Sequence, residues 1–197
     1  MPHMYGSVLI GDDFLMGIAM FNLNFQAEKD GNGLLQSGLC VSGLTISAAV
    51  QRVLQRVDNS KCKTALIYIG SMDIINGREL VQMMCDFNLL MEACSTMNLK
   101  PILCTLAPIQ THQLNNRKET LKGFNNFLAI NSWGLPVIDI NKAFTNDGKS
   151  LDQCYMVIPR PISGNRSVLA LWTPEGRKRF YNMILKNLGF ALTCQKT

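Results

Sequence analysis

The stretch Val8-Leu9-Ile10-Gly11-Asp12-Asp13-Phe14-Leu15 decides the fold. Val8, Leu9 and Ile10 form an uninterrupted apolar run, which suits a strand covered on both faces, as in a parallel sheet. Gly11-Asp12-Asp13 ends the run as a tight turn. Phe14, Leu15 and the apolar positions up to Leu23 then recur at helical spacing. Strand, turn and helix start in that order make the first unit of an α/β protein. In open α/β sheets the turn at the carboxyl end of such a strand is where ligands and catalytic groups sit. Here it holds Asp12 and Asp13, with no nucleophilic hydroxyl or thiol beside them.

The alternation continues along the chain. Strand signals lie at 5–10, which contains this first run, and at 39–41, 64–70, 101–107 and 136–140, and those at 64–70 and 101–107 are almost continuously apolar. Helical patterns fall between them. One spans 14–23. The next carries Ile46, Val50, Val53, Leu54 and Val57 inward with Arg52 and Arg56 outward. Asn76-Gly77-Arg78-Glu79 resembles a capping box with Asn76 as cap, opening a helix with Leu80, Met84, Phe87, Met91 and Cys94 on one face. A helix over 116–129 turns Leu121, Phe124 and Leu128 inward. The last has Thr173 as cap, Pro174 in the first turn, and Phe180, Ile184 and Leu188 inward. Residues 142–170 lack a clear period and read as an extended loop. The pattern predicts a three-layer α/β/α sandwich with a mainly parallel sheet of about five strands and right-handed connections. Residues 5–197 make one domain, and Met1-Pro2-His3-Met4 reads as a vector remnant.

The chain of 197 residues is 47% hydrophobic and 17% charged, enough for one sizeable core. No apolar run reaches the length of a membrane-spanning helix, so no membrane partner is expected. No basic segment followed by an apolar one opens the chain as a signal peptide would. The seven cysteines are odd in number and contain no CxxC. They read as reduced, buried thiols of an intracellular protein rather than a disulfide framework or zinc site, and no metal or cofactor is expected. The methionines read as core filler. Net charge is +5, unevenly spread. Residues 153–197 hold seven basic residues and one acid, Glu175, whereas the other residues hold twelve basic and thirteen acidic ones. A near-neutral body with a basic carboxyl segment points to a polyanion partner or, equally, to a solvated charged face.

Four local patterns, in this order, resemble the blocks of the SGNH (GDSL-like) hydrolase family. Gly11-Asp12-Asp13 is similar to its Gly-Asp-Ser block. Ser42-Gly43 is similar to the second block, whose glycine supplies an oxyanion-hole amide. Gly70-Ser71-Met72-Asp73 resembles the Gly-x-Asn-Asp block. Thr173-Pro174-Glu175-Gly176 resembles the segment after the family's Asp-x-x-His. The resemblance leaves Gly11, Asp12, Gly43, Gly70 and Asp73 in structural roles. It places Asp13 at the nucleophile, Met72 at the oxyanion-hole asparagine, Val168 at the triad acid and Leu171 at the general base. Acyl transfer needs a hydroxyl nucleophile, a base to take its proton, and donors for the oxyanion. Valine and leucine move no protons, methionine donates no hydrogen bond, and a carboxylate opposes a developing oxyanion. His3 lies in the suspected remnant and His112 lies outside the motifs. The resemblance thus implies a pseudoenzyme with no catalytic residues.

The losses and the basic carboxyl segment together resemble the OSK domains, a hydrolase-like branch without the triad. That resemblance implies binding of germ-plasm mRNA, in its 3′ untranslated regions and as single strands, during germ-cell formation. It also implies a cytoplasmic place in ribonucleoprotein granules, with germ-granule proteins as possible partners. Two basic groups are candidates for the phosphates: Arg52, Arg56, Lys61 and Lys63, and then Arg160, Arg166, Arg177, Lys178 and Arg179. Of the nearby aromatics, Tyr155 and Tyr181 read as core, and Trp172, beside the family's histidine position, is the candidate for stacking on bases. The acidic turns around Asp12, Asp13 and Asp73 should repel phosphate from the old cleft. Two other readings stay open: a protein-interaction scaffold of a ribonucleoprotein assembly, and a residual esterase or small-molecule binder.

Overall fold

The computed structural model describes residues 3–4, 6–55, 62–110, 117–132, 134–164 and 168–194. Val57 and His112, and the candidate cations Arg56, Lys61 and Arg166, lie outside these residues.

The apolar run of the opening stretch is strand β2 (Ser7–Gly11), preceded by β1 (His3–Met4) and followed by α1 (Asp13–Asn22). Then come β3 (Glu28–Lys29), β4 (Leu35–Ser37), β5 (Leu39–Val41), α2 (Ile46–Leu54), β6 (Thr64–Tyr68), α3 (Ser71–Ile75), α4 (Leu80–Thr96) and β7 (Lys100–Cys104). The chain continues through α5 (Lys118–Ile130), β8 (Val137–Ile138), α6 (Ile140–Ala143), the hairpin β9 (Thr145–Asn146) and β10 (Lys149–Ser150), a 3-10 turn at Asp152–Cys154, β11 (Arg160–Pro161), β12 (Val168–Leu169) and α7 (Pro174–Cys194).

The centre is five parallel strands in the order β5-β2-β6-β7-β8. They are the apolar runs of the sequence, and Leu9, Ile10, Leu66 and Leu103 on them are wholly buried. Helices α2, α4 and α5 pack together, while α1 packs against α7, so two helical layers flank the sheet. Gly11 lets β2 and β6 run at full register. A Cβ there would strike the carbonyl oxygen of its partner Tyr68 and the side chain of Leu15.

The sheet is larger than the expected five strands. Three antiparallel additions bring it to eight: β4 on β5, β3 on β4, and β1 on β2. The segment set apart as a remnant thus supplies a strand, and Met4 is buried. The turn Asp30-Gly31-Asn32-Gly33 makes the β3–β4 hairpin: the Asp30 carboxylate accepts from the amides of Asn32 and Leu34, both at 2.9 Å. The supposed capping box is also corrected. Asn76 ends α3, and α4 starts after Glu79, which makes no side-chain cap bond. The buried face of α4 is Met83, Phe87, Leu90, Ala93 and Cys94, with Leu80, Met84 and Met91 only partly covered. The segment 142–170 is not a plain loop but a string of short strands and one 3-10 turn. Of the cysteines, Cys40, Cys94, Cys104 and Cys154 are buried, whereas Cys85 is exposed.

Candidate functional site

The sequence places its chemistry at the carboxyl ends of β2 and β6. Asp12 is the cap of α1, its Oδ1 accepting from the Phe14 amide at 3.1 Å. Burial, reinforced by the neighbouring Asp13, pushes its carboxyl up to about 8. Asp13, the first residue of α1, is buried and reaches into the turn after β5. The Ser42 hydroxyl donates to its Oδ1 at 2.5 Å and the Gly43 amide to its Oδ2 at 2.7 Å. Burial raises the Asp13 carboxyl and these two bonds partly oppose it. Gly43 adopts φ 76°, a left-handed conformation that aims its N–H at Asp13 without Cβ strain.

This end of the sheet is closed. The Ser163 amide donates to the Ser42 Oγ at 2.9 Å, and the Ser163 Oγ accepts from the Leu35 amide of β4 at 3.3 Å. Ile162 is buried, and a Cβ on Gly43 would press on the Ser163 carbonyl and the Ile162 side chain. Residues 162–163 therefore lie across the turn that would face a substrate. The sequence reading missed Ser163: a lone serine in a loop carries no signal until the fold brings it beside Ser42.

Gly70 caps α3 at the end of β6. Met72 on α3 is wholly buried, and its thioether has no proton to donate. Asp73 accepts from the Ile46 amide at 2.9 Å, which is the first amide of α2. Arg78 lies 3.9 Å from its other oxygen and 2.5 Å from Asp86. Burial still pushes the Asp73 carboxyl up to about 6. Asp73 therefore ties α3 to α2, and Asp12 starts α1. All three acidic side chains are buried, and residues 162–163 lie over the Ser42–Gly43 turn that holds Asp13. At the remaining two positions, Val168 lies half in solvent on β12, and the Leu171 carbonyl accepts from the Met156 amide. Neither side chain can move a proton.

The two basic groups divide. Arg52 is occupied by Asp30 at 2.6 Å and by Gln36 at 2.9 Å. Arg177 donates to the Trp172 carbonyl at 2.9 Å and stacks over Phe21 at 4.5 Å. Arg179 pairs with Glu175 at 3.1 Å, one turn back. Arg160, Lys63 and Lys178 are exposed and make no ion pair among the described residues. The β11–β12 hairpin that carries Arg160 leans on β4 through Ser163, and Arg52 reaches the same β3–β4 hairpin through Gln36 and Asp30. Trp172 is not available for stacking on bases. It is 2% exposed and sits among Phe14, Tyr68, Phe144 and Phe180, with ring centroids 4.7, 5.4, 4.7 and 5.0 Å away. Tyr155 is buried as expected, its hydroxyl donating to the Pro108 carbonyl at 2.7 Å.

One open cavity, of about 640 Å³, lies beyond β7 and β8. Leu121, Met156 and Pro159 line it, Lys118 and Lys149 flank it, and Val157 on its rim is 97% exposed. No motif pointed to it, since its lining comes from five separate segments.

The OSK domain model matches residues 1–189. The chain belongs to the OSK domain family. This OSK domain is 36% identical over 184 residues to the maternal effect protein oskar of Drosophila virilis, a match covering 92% of this chain and 31% of that protein. It therefore spans about a third of that relative's length. The crystal structure of the OSK domain of Drosophila Oskar superposes with a TM-score of 0.88 at 34% identity, covering 95% of this chain and 90% of that one. The fold alone is shared with a GDSL-like lipase from Bacteroides thetaiotaomicron, with a TM-score of 0.72 at 16% identity over 94% of this chain and 88% of the other. The SGNH-like architecture read from the motifs is the architecture of this domain.

Proposed function

We propose that this OSK domain is a non-catalytic RNA-binding module acting on germ-plasm mRNA within cytoplasmic ribonucleoprotein granules. The charge distribution carries the reading. Residues 153–197 hold seven basic residues against one acid, and Arg160 stands exposed on a hairpin with no acidic partner among the described residues. Phosphate contacts need cations that are not already neutralised. Arg160, Lys63 and Lys178 meet that requirement, Arg166 joins them by sequence, Arg52 is neutralised by Asp30, and Arg177 is engaged by the Trp172 carbonyl and the Phe21 ring. The germ-plasm setting is supported by the relatives, which are maternal effect proteins. Absence of turnover is supported by the chemistry of positions 13, 72, 168 and 171. A carboxylate already holds the Ser42 and Gly43 donors, and no side chain at 72, 168 or 171 donates or accepts a proton.

The test is affinity for single-stranded RNA across a salt series. Wild type should lose affinity steadily with salt, because each phosphate contact releases counterions. Arg160→Glu should lower the slope by roughly 0.7 for the lost contact and weaken all sequences alike. Arg52→Glu should leave the slope unchanged, since its guanidinium already serves Asp30 and Gln36. Salt-independent binding would reject the reading. One observation favours a second role as a protein-interaction scaffold: Val157 and Ile158 are 97% and 78% exposed beside the 640 Å³ cavity. Two adjacent exposed apolar residues at a cavity mouth suit contact with an apolar protein surface.

A further inference from the structure

We propose that the Ser42 hydroxyl and the Gly43 amide form a carboxylate-binding site whose resident ligand is the Asp13 side chain, and that removing this side chain opens the site to small carboxylates such as formate and acetate. The geometry is that of two donors converging on the two oxygens of one planar group, at 2.5 and 2.7 Å. These lengths lie in the range of hydrogen bonds to an ionised acceptor. The hydroxyl has one proton, and its direction is decided from outside. The Ser163 amide donates into the Ser42 oxygen at 2.9 Å, which leaves the Ser42 proton for Asp13. The backbone holds the second donor in place, because Gly43 is in a left-handed conformation that most side chains would resist.

The consequence reaches the surface. Asp13, Ser42 and Ser163 form one chain of hydrogen bonds from the start of α1, through the turn after β5, to the segment that follows β11. Asp13 acts as an anchor for that segment and as an internal occupant that keeps external anions out. A donor pair of this kind would otherwise attract any small anion of matching shape. Phosphate, with four tetrahedral oxygens, fits a flat two-donor slot under residues 162–163 less well than a carboxylate. This inference does not depend on RNA binding.

The experiment uses Asp13→Ala in the whole chain, with Asp13→Asn as control. Melting is followed in sodium formate, acetate and chloride at equal ionic strength. Asp13→Ala should show a saturable upward shift in melting temperature with formate, a smaller one with acetate, and none with chloride. Wild type should show none, since its site is filled. Asp13→Asn should melt below wild type, because its amide offers one acceptor to two donors, and should not respond to formate. Hydrogen exchange of the wild type gives an independent readout. The Gly43 and Ser163 amides should be protected many-fold despite lying in loops, and in Asp13→Ala that protection should fall and return with formate. A folded Asp13→Ala that treats formate like chloride overturns the proposal. So does a wild-type Gly43 amide that exchanges as a free loop amide, which also decides the matter if Asp13→Ala does not fold in either salt.

Discussion

Asp12, Asp13 and Asp73 stand at the carboxyl ends of β2 and β6, are buried, and each accept at least one hydrogen bond from a named donor. Arg160, Lys178 and Arg179 stand in the carboxyl-terminal quarter of the chain, at least partly in solvent, and only Arg179 has an acidic partner among the described residues. Water sets the difference. A buried carboxylate that loses its partner has nothing to replace it, so its surroundings must be built around it. A solvated cation is satisfied wherever it stands, so the fold neither demands nor forbids a partner for it. The carboxylates at the ends of β2 and β6 are parts of the scaffold. Arg160 on the β11–β12 hairpin and Lys178 on α7 have no ion-pair partner among the described residues.

Trp172 belongs to the basic segment by position and to the buried region by contacts, so it tests the contrast most strongly. Trp172→Ala should cost about 3–5 kcal/mol in denaturant unfolding, the usual loss for a buried large aromatic. RNA affinity should hold at temperatures where the variant stays folded. A stable variant with lost RNA binding would move Trp172 to the surface group. Next is Asp73→Ala, which strips the acceptor from the first amide of α2 and should cost about 1–3 kcal/mol. A fall in RNA affinity without a fall in stability would break the contrast from the other side.

The pH dependence of stability follows from the raised carboxyls. Asp12, ordinarily near 3.8, is held up to about 8 in the folded state, and Asp73 up to about 6. Between the ordinary value and the folded value the native state holds a proton that the unfolded chain has released. Stability is therefore greatest below pH 4 as far as these groups are concerned, and it declines as pH rises. Asp73 completes its share near pH 6, while Asp12 goes on contributing from 6 to 8. One such proton gives a slope of at most about 1.4 kcal/mol per pH unit. Asp12→Asn keeps the cap oxygen for Phe14 and should flatten the curve of unfolding free energy against pH between 6 and 8. A slope equal to that of wild type would assign the titration elsewhere. The smallest effect belongs to the solvated side. Arg179→Ala removes a helix-surface pair with Glu175 whose two side chains are 39% and 49% exposed, and should change stability by no more than about 0.5 kcal/mol.

The parallel centre of the fold was legible because its signal is local and repeated. Runs such as Thr64–Tyr68 and the apolar faces of α5 and α7 are visible in any window of the chain, and burial on both sides leaves them little other composition. The antiparallel edge was missed although Asp30-Gly31-Asn32-Gly33 marks its turn, because β3 and β4 are only two and three residues long and carry no apolar alternation. Asn76 misled for a related reason. The same residues that cap a helix start also end one, and only the five-residue α3 just before it decides which.

The candidate site divides along the same line. The sequence by itself determined which residue types stand at the family's motif positions, and therefore which proton transfers those positions can make. It also determined that net positive charge concentrates in the last quarter of the chain. Only the tertiary structure decided which cations of the chain are paired and which motif residues meet. The Asp30 partner of Arg52 lies 22 residues away, Ser163 lies 121 residues from Ser42, and the rings around Trp172 come from α1, β6, α7 and the residue after α6. A hydrogen bond or ion pair needs two groups within about 3 Å. Composition records that both groups exist, but the folded path of the backbone sets the distance between them.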